Sequence, residues 1–375
     1  MAPPLRNLKC LDLSRQLPGP FCSMMLADLG IDVLIVSSPT DVMGLGLPLV
    51  QRNKRSMTLN LKSPDGKKIF NELAKDADII LEGFRPGVTT RLGIDYATMA
   101  ALNPRLVYCS ISGYGQDGPY RDKVGHDVNY LGYAGVMGVS GSVGGPPTLM
   151  PVQVADIGGG ALMATVGILA ALMGREHTGR GQFVDISMMD GSFVWNVFHT
   201  MLYLAAGEQP TRGATRLTGH HPCYAIYETK DGKYVTVGAL EEHFWRNLCV
   251  QLGVEEYVPD QFVEGARREE MFRVIREKFK QKTQAEWLKQ LDPVDICFGP
   301  VNSIPEAFAD PQVQARGLLH EVGGFKLLGS PFKFSDTAAP QPTPPPQFGQ
   351  HTDAVLQRLG YSADAVTKLR ASGVV

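Results

Sequence analysis

Few features of this chain announce a special environment. Its six cysteines, Cys10, Cys22, Cys109, Cys223, Cys249 and Cys297, are scattered through 375 residues without a CxxC pair, so neither a disulfide framework nor a zinc site is expected. No sign of charge dominates: 36 Lys and Arg against 38 Asp and Glu leave a net charge of −2, which argues against nucleic acid as a partner. No leader with a basic start and a cleavage site opens the chain, and Ser372-Gly373-Val374-Val375 is not a peroxisomal ending, so a reducing cytoplasm is the expected compartment. Long apolar runs are absent but for residues 157–174, whose five glycines and immediate charged neighbours, Asp156 and Arg175, read as a buried helix and not a membrane span. GxGxxG, Walker, HExxH and GxSxG patterns are also missing, which removes NAD binding, nucleotide hydrolysis, zinc proteolysis and α/β-hydrolase chemistry.

What is present is an α/β pattern. Short β-rich runs at 8–13, 32–36, 77–81 and 106–111 alternate with amphipathic segments, as βαβ units of a parallel, doubly wound sheet require. Helices are expected over 20–29, closed by Gly30, and from Ser63-Pro64 to about Lys75, with Ser as cap and Pro at the first helical position. A long helix follows Asp156. Later, 224–229 and 233–237 form a hairpin across Lys230-Asp231-Gly232 and open a smaller α+β segment. The proline-rich stretch 340–346 cannot be regular structure and reads as a linker that returns the last helices to something larger. The expected borders are 1–205 for a large domain, 206–330 for a small one and 331–375 for the returning segment.

Chemistry near neutral pH needs groups whose proton affinity can be brought there. His126-Asp127 follows the turn-rich stretch 112–119, although a single histidine is more often a surface or core residue than a catalyst. Asp156 stands at the start of the long helix, where the partial positive charge of the helix end favours an ionised base; plain capping explains it as simply. Gly158-Gly159-Gly160 allows close approach of a ligand or of another backbone. Glu241, after the hairpin, serves a helix start equally well. Arg52, Lys54 and Arg55 are three cations in four residues, suited to phosphates or to a solvated loop, and Phe84-Arg85 sits on a turn.

Taken in order, several short segments resemble the family III CoA-transferase group. They are 17–22, 26–30, Arg52-Asn53-Lys54-Arg55-Ser56, Glu82-Gly83-Phe84-Arg85-Pro86-Gly87, Arg91-Leu92-Gly93, 179–182, Met188-Met189-Asp190-Gly191 and Gly299-Pro300-Val301-Asn302, in register nearly end to end. The resemblance implies a Rossmann-like large domain, a small α+β domain and an interlocked homodimer. It implies coenzyme A as part of an acyl-CoA substrate, with no cofactor bound permanently, and it places Arg52, Lys54, Arg55, Phe84, Arg85 and Gly125 at that ligand. Gly125 to Tyr130 matches the stretch that marks the group's racemase branch. There His126 and Asp156 match the acid/base pair, Asp127 the carboxylate that is the nucleophile in the transferases, and Glu241 a residue that hydrogen-bonds the catalytic histidine across the subunit interface. Two segments depart from the group: Ser37-Ser38-Pro39, where many relatives carry a charge, and Gly219-His220-His221-Pro222-Cys223 before the hairpin.

Overall fold

A computed structural model describes residues 3–41, 45–337 and 341–375. The chain divides into two compact units. The larger comprises Met1–Val136, Met150–Val197 and Gln312–Val375, and the smaller Met137–Leu149 and Phe198–Pro311. Relative to the borders expected from sequence, the larger unit ends earlier, near Val197, the smaller gains residues 137–149, and the return begins at 312. Of the proline-rich stretch, Pro340 lies outside the described residues.

The larger unit is built on six parallel strands, β1 Lys9–Asp12, β2 Asp32–Ser37, β3 Lys54–Thr58, β4 Ile79–Glu82, β5 Val107–Ser112 and β6 Phe183–Ser187, in the order β3-β2-β1-β4-β5-β6. These runs are almost wholly buried in β1, β2, β4 and β5, which is why they read as continuous apolar stretches and not as alternation. The order reverses between β1 and β4. At such a reversal the loops leaving the carboxyl ends of neighbouring strands diverge and open a crevice.

Helix Pro18–Asp28 begins with proline and is buried on nearly every side, because it packs on the sheet and against the Val154–Thr178 helix. Helix Pro64–Lys75 starts as its sequence dictates, the Ser63 hydroxyl accepting the Gly66 amide at 3.0 Å. Its apolar face, with Ile69, Phe70 and Leu73, joins Leu11, Leu34 and Ile80 of the sheet in one core. The chain end completes that core through Val355, Leu356 and Leu369, and is tied down by Thr58 N–H to Thr352 Oγ1 (3.0 Å) and Asn60 N–H to the Val374 carbonyl (2.8 Å).

Val154–Thr178 is long and apolar enough to cross a membrane by length and composition. Here it lies on β5 and β6, with Ala164, Ile168 and Ala171 buried. Its first nine residues, Val154–Leu162, wind as a π-helix before α-helix resumes at Met163, a local widening that often accompanies functional residues. The glycine triplet has a packing purpose. A Cβ on Gly159 would stand 2.6 Å from the Met188 carbonyl, and one on Gly191 would stand 2.3 Å from the Gly159 carbonyl. The Met188–Trp195 helix therefore touches the π turn backbone to backbone.

The smaller unit carries an antiparallel sheet of β7 Tyr224–Glu228, β8 Tyr234–Gly238 and β9 Phe298–Pro300. Helices Glu242–Leu252, Ala266–Phe279 and Gln284–Leu291 pack on it around Tyr227, Trp245, Phe279 and Trp287. A second hairpin, β10 Leu319–Val322 with β11 Phe325–Leu328, belongs to the larger unit.

Candidate active site

The switch point between β1 and β4 opens a cleft of about 870 Å³ in the larger unit. Ser14 and Arg15 follow β1, Gly83, Phe84 and Arg85 follow β4, and Ser112 and Gly113 end and follow β5; the far wall is Gly125, His126, Asn129, Tyr130, Asp156 and Met188. His126 and Asp156 thus line one cavity. His126 precedes the Asp127–Tyr133 helix, its amide donating to Asn129 Oδ1 at 3.0 Å, and the residue is exposed. Burial pushes the Asp156 carboxyl up to about 6, nearby Asp127 pushes the same way, and His126 opposes them.

Asp127 corrects the capping explanation for Asp156. Asp127 Oδ1 accepts the amides of Ala155 at 2.7 Å and of Asp156 at 3.0 Å, so the helix end is capped by a residue 28 positions upstream. Among the described residues the Asp156 carboxylate receives no hydrogen bond, and it lines the cleft, whereas Asp127 does not. Glu241 lies in the smaller unit, just before the Glu242–Leu252 helix.

The six positions expected to grip an anionic ligand separate into two groups. Phe84, Arg85 and Gly125 line the cleft. Arg52, Lys54 and Arg55 do not line it. Arg52, only 2% exposed, is spent on Asp28 through Nε at 3.0 Å and Nη2 at 2.5 Å. Lys54 is buried against the Pro20 carbonyl (2.8 Å), Ser23 Oγ (2.7 Å) and Gln51 Oε1 (3.0 Å), and burial lowers its ammonium to about 8. Arg55 makes a fork with Asp32 at 2.9 and 2.7 Å. Two of these three cations lie in β3 itself, so their side chains point into flanking layers and not from a loop.

The cations that do face the cleft are Arg15, Arg85, Arg91, Arg121 and Lys123. Sequence reading missed four of them as ligand groups, although Arg121 and Lys123 follow the glycine-rich turn and Arg91 stands in a family segment. Among the described residues the guanidinium groups of Arg85 and Arg91 have no hydrogen bond or ion pair and line the cleft. Arg121 is anchored by Nε to the Gln116 carbonyl at 3.0 Å, and the Lys123 ammonium lies 4.6 Å from the ring centres of both Tyr120 and Tyr133. Arginines clustered at the carboxyl ends of parallel strands suit phosphate oxygens, which accept two parallel N–H bonds.

Among the described residues one trio has metal-like spacing, His220, His221 and Glu264 in the smaller unit. Its centre is taken by a side chain. Arg268 Nη1 stands 2.7 Å from His220 Nε2 and 2.9 Å from Glu264 Oε2, so the cluster already holds a cation.

Residues 5–352 match the family described as CoA-transferase family III. The human alpha-methylacyl-CoA racemase is 35% identical over 382 residues, covering 99% of this chain and 97% of that one. An acyl-CoA transferase of Fusarium pseudograminearum is 34% identical over 413 residues, covering 99% and 88%. The crystal structure of a CAIB/BAIF family protein from Brucella suis superposes with a TM-score of 0.84 at 30% identity, over 96% of this chain and all of that one. The chain belongs to CoA-transferase family III. Identity does not choose between the two activities, since a racemase and a transferase stand within one percentage point.

Proposed function

We propose that the chain is an α-methylacyl-CoA racemase that inverts C2 of a 2-methylacyl-CoA by moving one proton off and another on. The observation that carries this reading is the pairing of His126 and Asp156 in one cleft while Asp127 Oδ1 is engaged by the Ala155 and Asp156 amides. One group removes the α-proton, leaving the C–H electron pair in an enolate conjugated with the thioester carbonyl. The other returns a proton to the opposite face, and CoA stays attached throughout. A carboxyl brought up to about 6 suits this work, because it releases and accepts protons near neutrality with little driving force either way. The enolate oxygen needs fixed donors. The Ala155 and Asp156 amides are committed to Asp127, so the start of the Asp127–Tyr133 helix is the remaining candidate.

In this reading the phosphates of CoA lie against Arg85, Arg91 and Arg121, the acyl group runs past Met188, and CoA enters only as part of the substrate. Glu241 assists His126 from a second copy of the chain. A homodimer is supported by apolar side chains left uncovered on one stretch, Phe193, Val194, Trp195, Val197 and Leu204, each at least 48% exposed.

The transferase reading has Asp127 attack the thioester carbonyl carbon, forming a mixed anhydride as the C–S bond breaks and CoA leaves as thiolate. The likeness to the Fusarium acyl-CoA transferase favours it. The Ala155 and Asp156 amides engage Asp127 Oδ1, so on this reading Oδ2 is the attacking oxygen. The test is to incubate the protein with one enantiomer of a 2-methylacyl-CoA in deuterated water, without an acceptor acid. Deuterium at C2 with loss of optical purity is expected; no exchange, with CoA transfer once carboxylic acids are added, would establish the transferase.

A further inference from the structure

Beside the cleft residues Gly83, Ser112 and Gly113 lies a polar row across the sheet. Glu82 on β4 is in register with Ser110 on β5, and Ser110 with Asp185 on β6, so the three are lateral neighbours across adjacent parallel strands. Each end of the row supports a loop that carries a cleft arginine. Glu82 Oε2 accepts the Phe84 amide at 2.7 Å, one residue before Arg85. Asp185 Oδ2 accepts the Gln116 amide at 3.0 Å, the Gln116 side chain donates to Ser110 Oγ at 2.7 Å, and the Gln116 carbonyl accepts Arg121 Nε at 3.0 Å. One network therefore ties the loop after β4 to the loop after β5.

Glu82 is 3% exposed and has no ion-pair partner among the described residues, an uncommon situation for a carboxyl. Burial pushes it up to about 7; the Ser110 hydroxyl and Phe84 amide favour its charge, Asp185 opposes it, and Tyr108 and Cys109 of β5 feel that charge in turn.

We infer that Glu82 and Gln116 are positioning residues, which through the shared Ser110–Asp185 row orient Arg85 and Arg121 toward the phosphates of the acyl-CoA. This rests on the function proposed above. It requires that disturbing the row weakens ligand binding and spares the proton transfer itself, because neither residue touches the reacting carbon.

The experiment is calorimetric titration with CoA from pH 6 to 9 of the wild type, Gln116→Ala and Glu82→Gln, with melting curves and saturating exchange rates for each. Gln116 is only half-buried in its loop, so its variant tests the inference even where Glu82→Gln folds poorly. Gln116→Ala is expected to weaken CoA about tenfold, the loss of one support for a charge-assisted contact, with an unchanged melting point and saturating rate. The ratio of wild-type to Glu82→Gln affinity should change across pH 7, and titration of the ligand's own phosphate cancels in that ratio. Wild-type affinity in both variants at every pH would overturn the inference while leaving the cleft as the CoA site. A wild type that binds no CoA would overturn the functional reading and this inference with it.

Discussion

Two basic regions of this molecule look alike on paper and behave oppositely in the fold. Arg52, Lys54 and Arg55 form the densest cationic run, yet all three are consumed by Asp28, by the carbonyl and hydroxyl groups around Pro20 and Ser23, and by Asp32. Arg85, Arg91 and Arg121 are dispersed over 37 positions and converge on one cleft, because the segments after the neighbouring parallel strands β4 and β5 leave the same end of the sheet, beside the reversal between β1 and β4. Local charge density is therefore a poor guide to an anion site. Which end of which strand a cation follows is a better one.

The comparison breaks most sharply at the reacting groups. His126→Ala and Asp156→Asn should each lower racemisation by about 10²–10⁴-fold, the range that positioned acid–base groups supply, while CoA affinity stays within a few-fold. Optical rotation of a pure enantiomer over time measures the first and calorimetry the second.

Next in size is the contrast between the basic regions themselves. Arg52→Ala leaves the Asp28 carboxylate buried without its partner and should cost about 3–5 kcal/mol in urea unfolding. Arg85→Ala should leave the unfolding midpoint in place and raise the KM for acyl-CoA about tenfold or more. If Arg52→Ala proved stable and selectively weak in CoA binding, the division between structural and ligand-facing cations would collapse.

Glu82 yields a stability prediction with a definite sign. Its carboxyl binds a proton more tightly folded, at about 7, than unfolded, at its usual 4.5. The folded state is thus favoured below the unfolded value, and that contribution is lost as pH rises toward 7, by about 3 kcal/mol at 1.36 kcal/mol per unit. Glu82→Gln should be more stable than the wild type at pH 8 and show little difference near pH 4. Urea midpoints at the two pH values check it.

The smallest effect concerns the helix cap. Asp127→Asn keeps an acceptor for the Ala155 and Asp156 amides, whereas Asp127→Ala removes it and should cost about 1 kcal/mol in thermal unfolding. On the racemase reading Asp127→Asn retains most activity; on the transferase reading it abolishes CoA transfer.

The sheet and its helices were legible because local signals agreed with the global fold. Ser63-Pro64 starts its helix where expected, and Lys230-Asp231-Gly232 joins the hairpin strands β7 and β8. The larger unit's discontinuity was not legible, since nothing in residues 137–149 distinguishes a segment that joins the smaller unit. At the site, the juxtaposition of His126 with Asp156 was read through family resemblance, and the structure puts both on one cleft. The exchange of roles by which Asp127 caps the helix and frees Asp156 depends on a contact 28 residues apart, which no spacing rule contains. The row Glu82–Ser110–Asp185 escaped for the same reason, because lateral register joins residues that are distant along the chain.

The two-group mechanism is tested most directly by following α-deuterium incorporation into each enantiomer of a 2-methylacyl-CoA separately, with His126→Ala and with Asp156→Asn. Each variant is expected to exchange only the enantiomer whose α-proton meets the surviving group, without inverting it, and the two variants should choose opposite enantiomers. Variants that exchange both enantiomers equally, or that both retain inversion, would contradict proton transfer between His126 and Asp156.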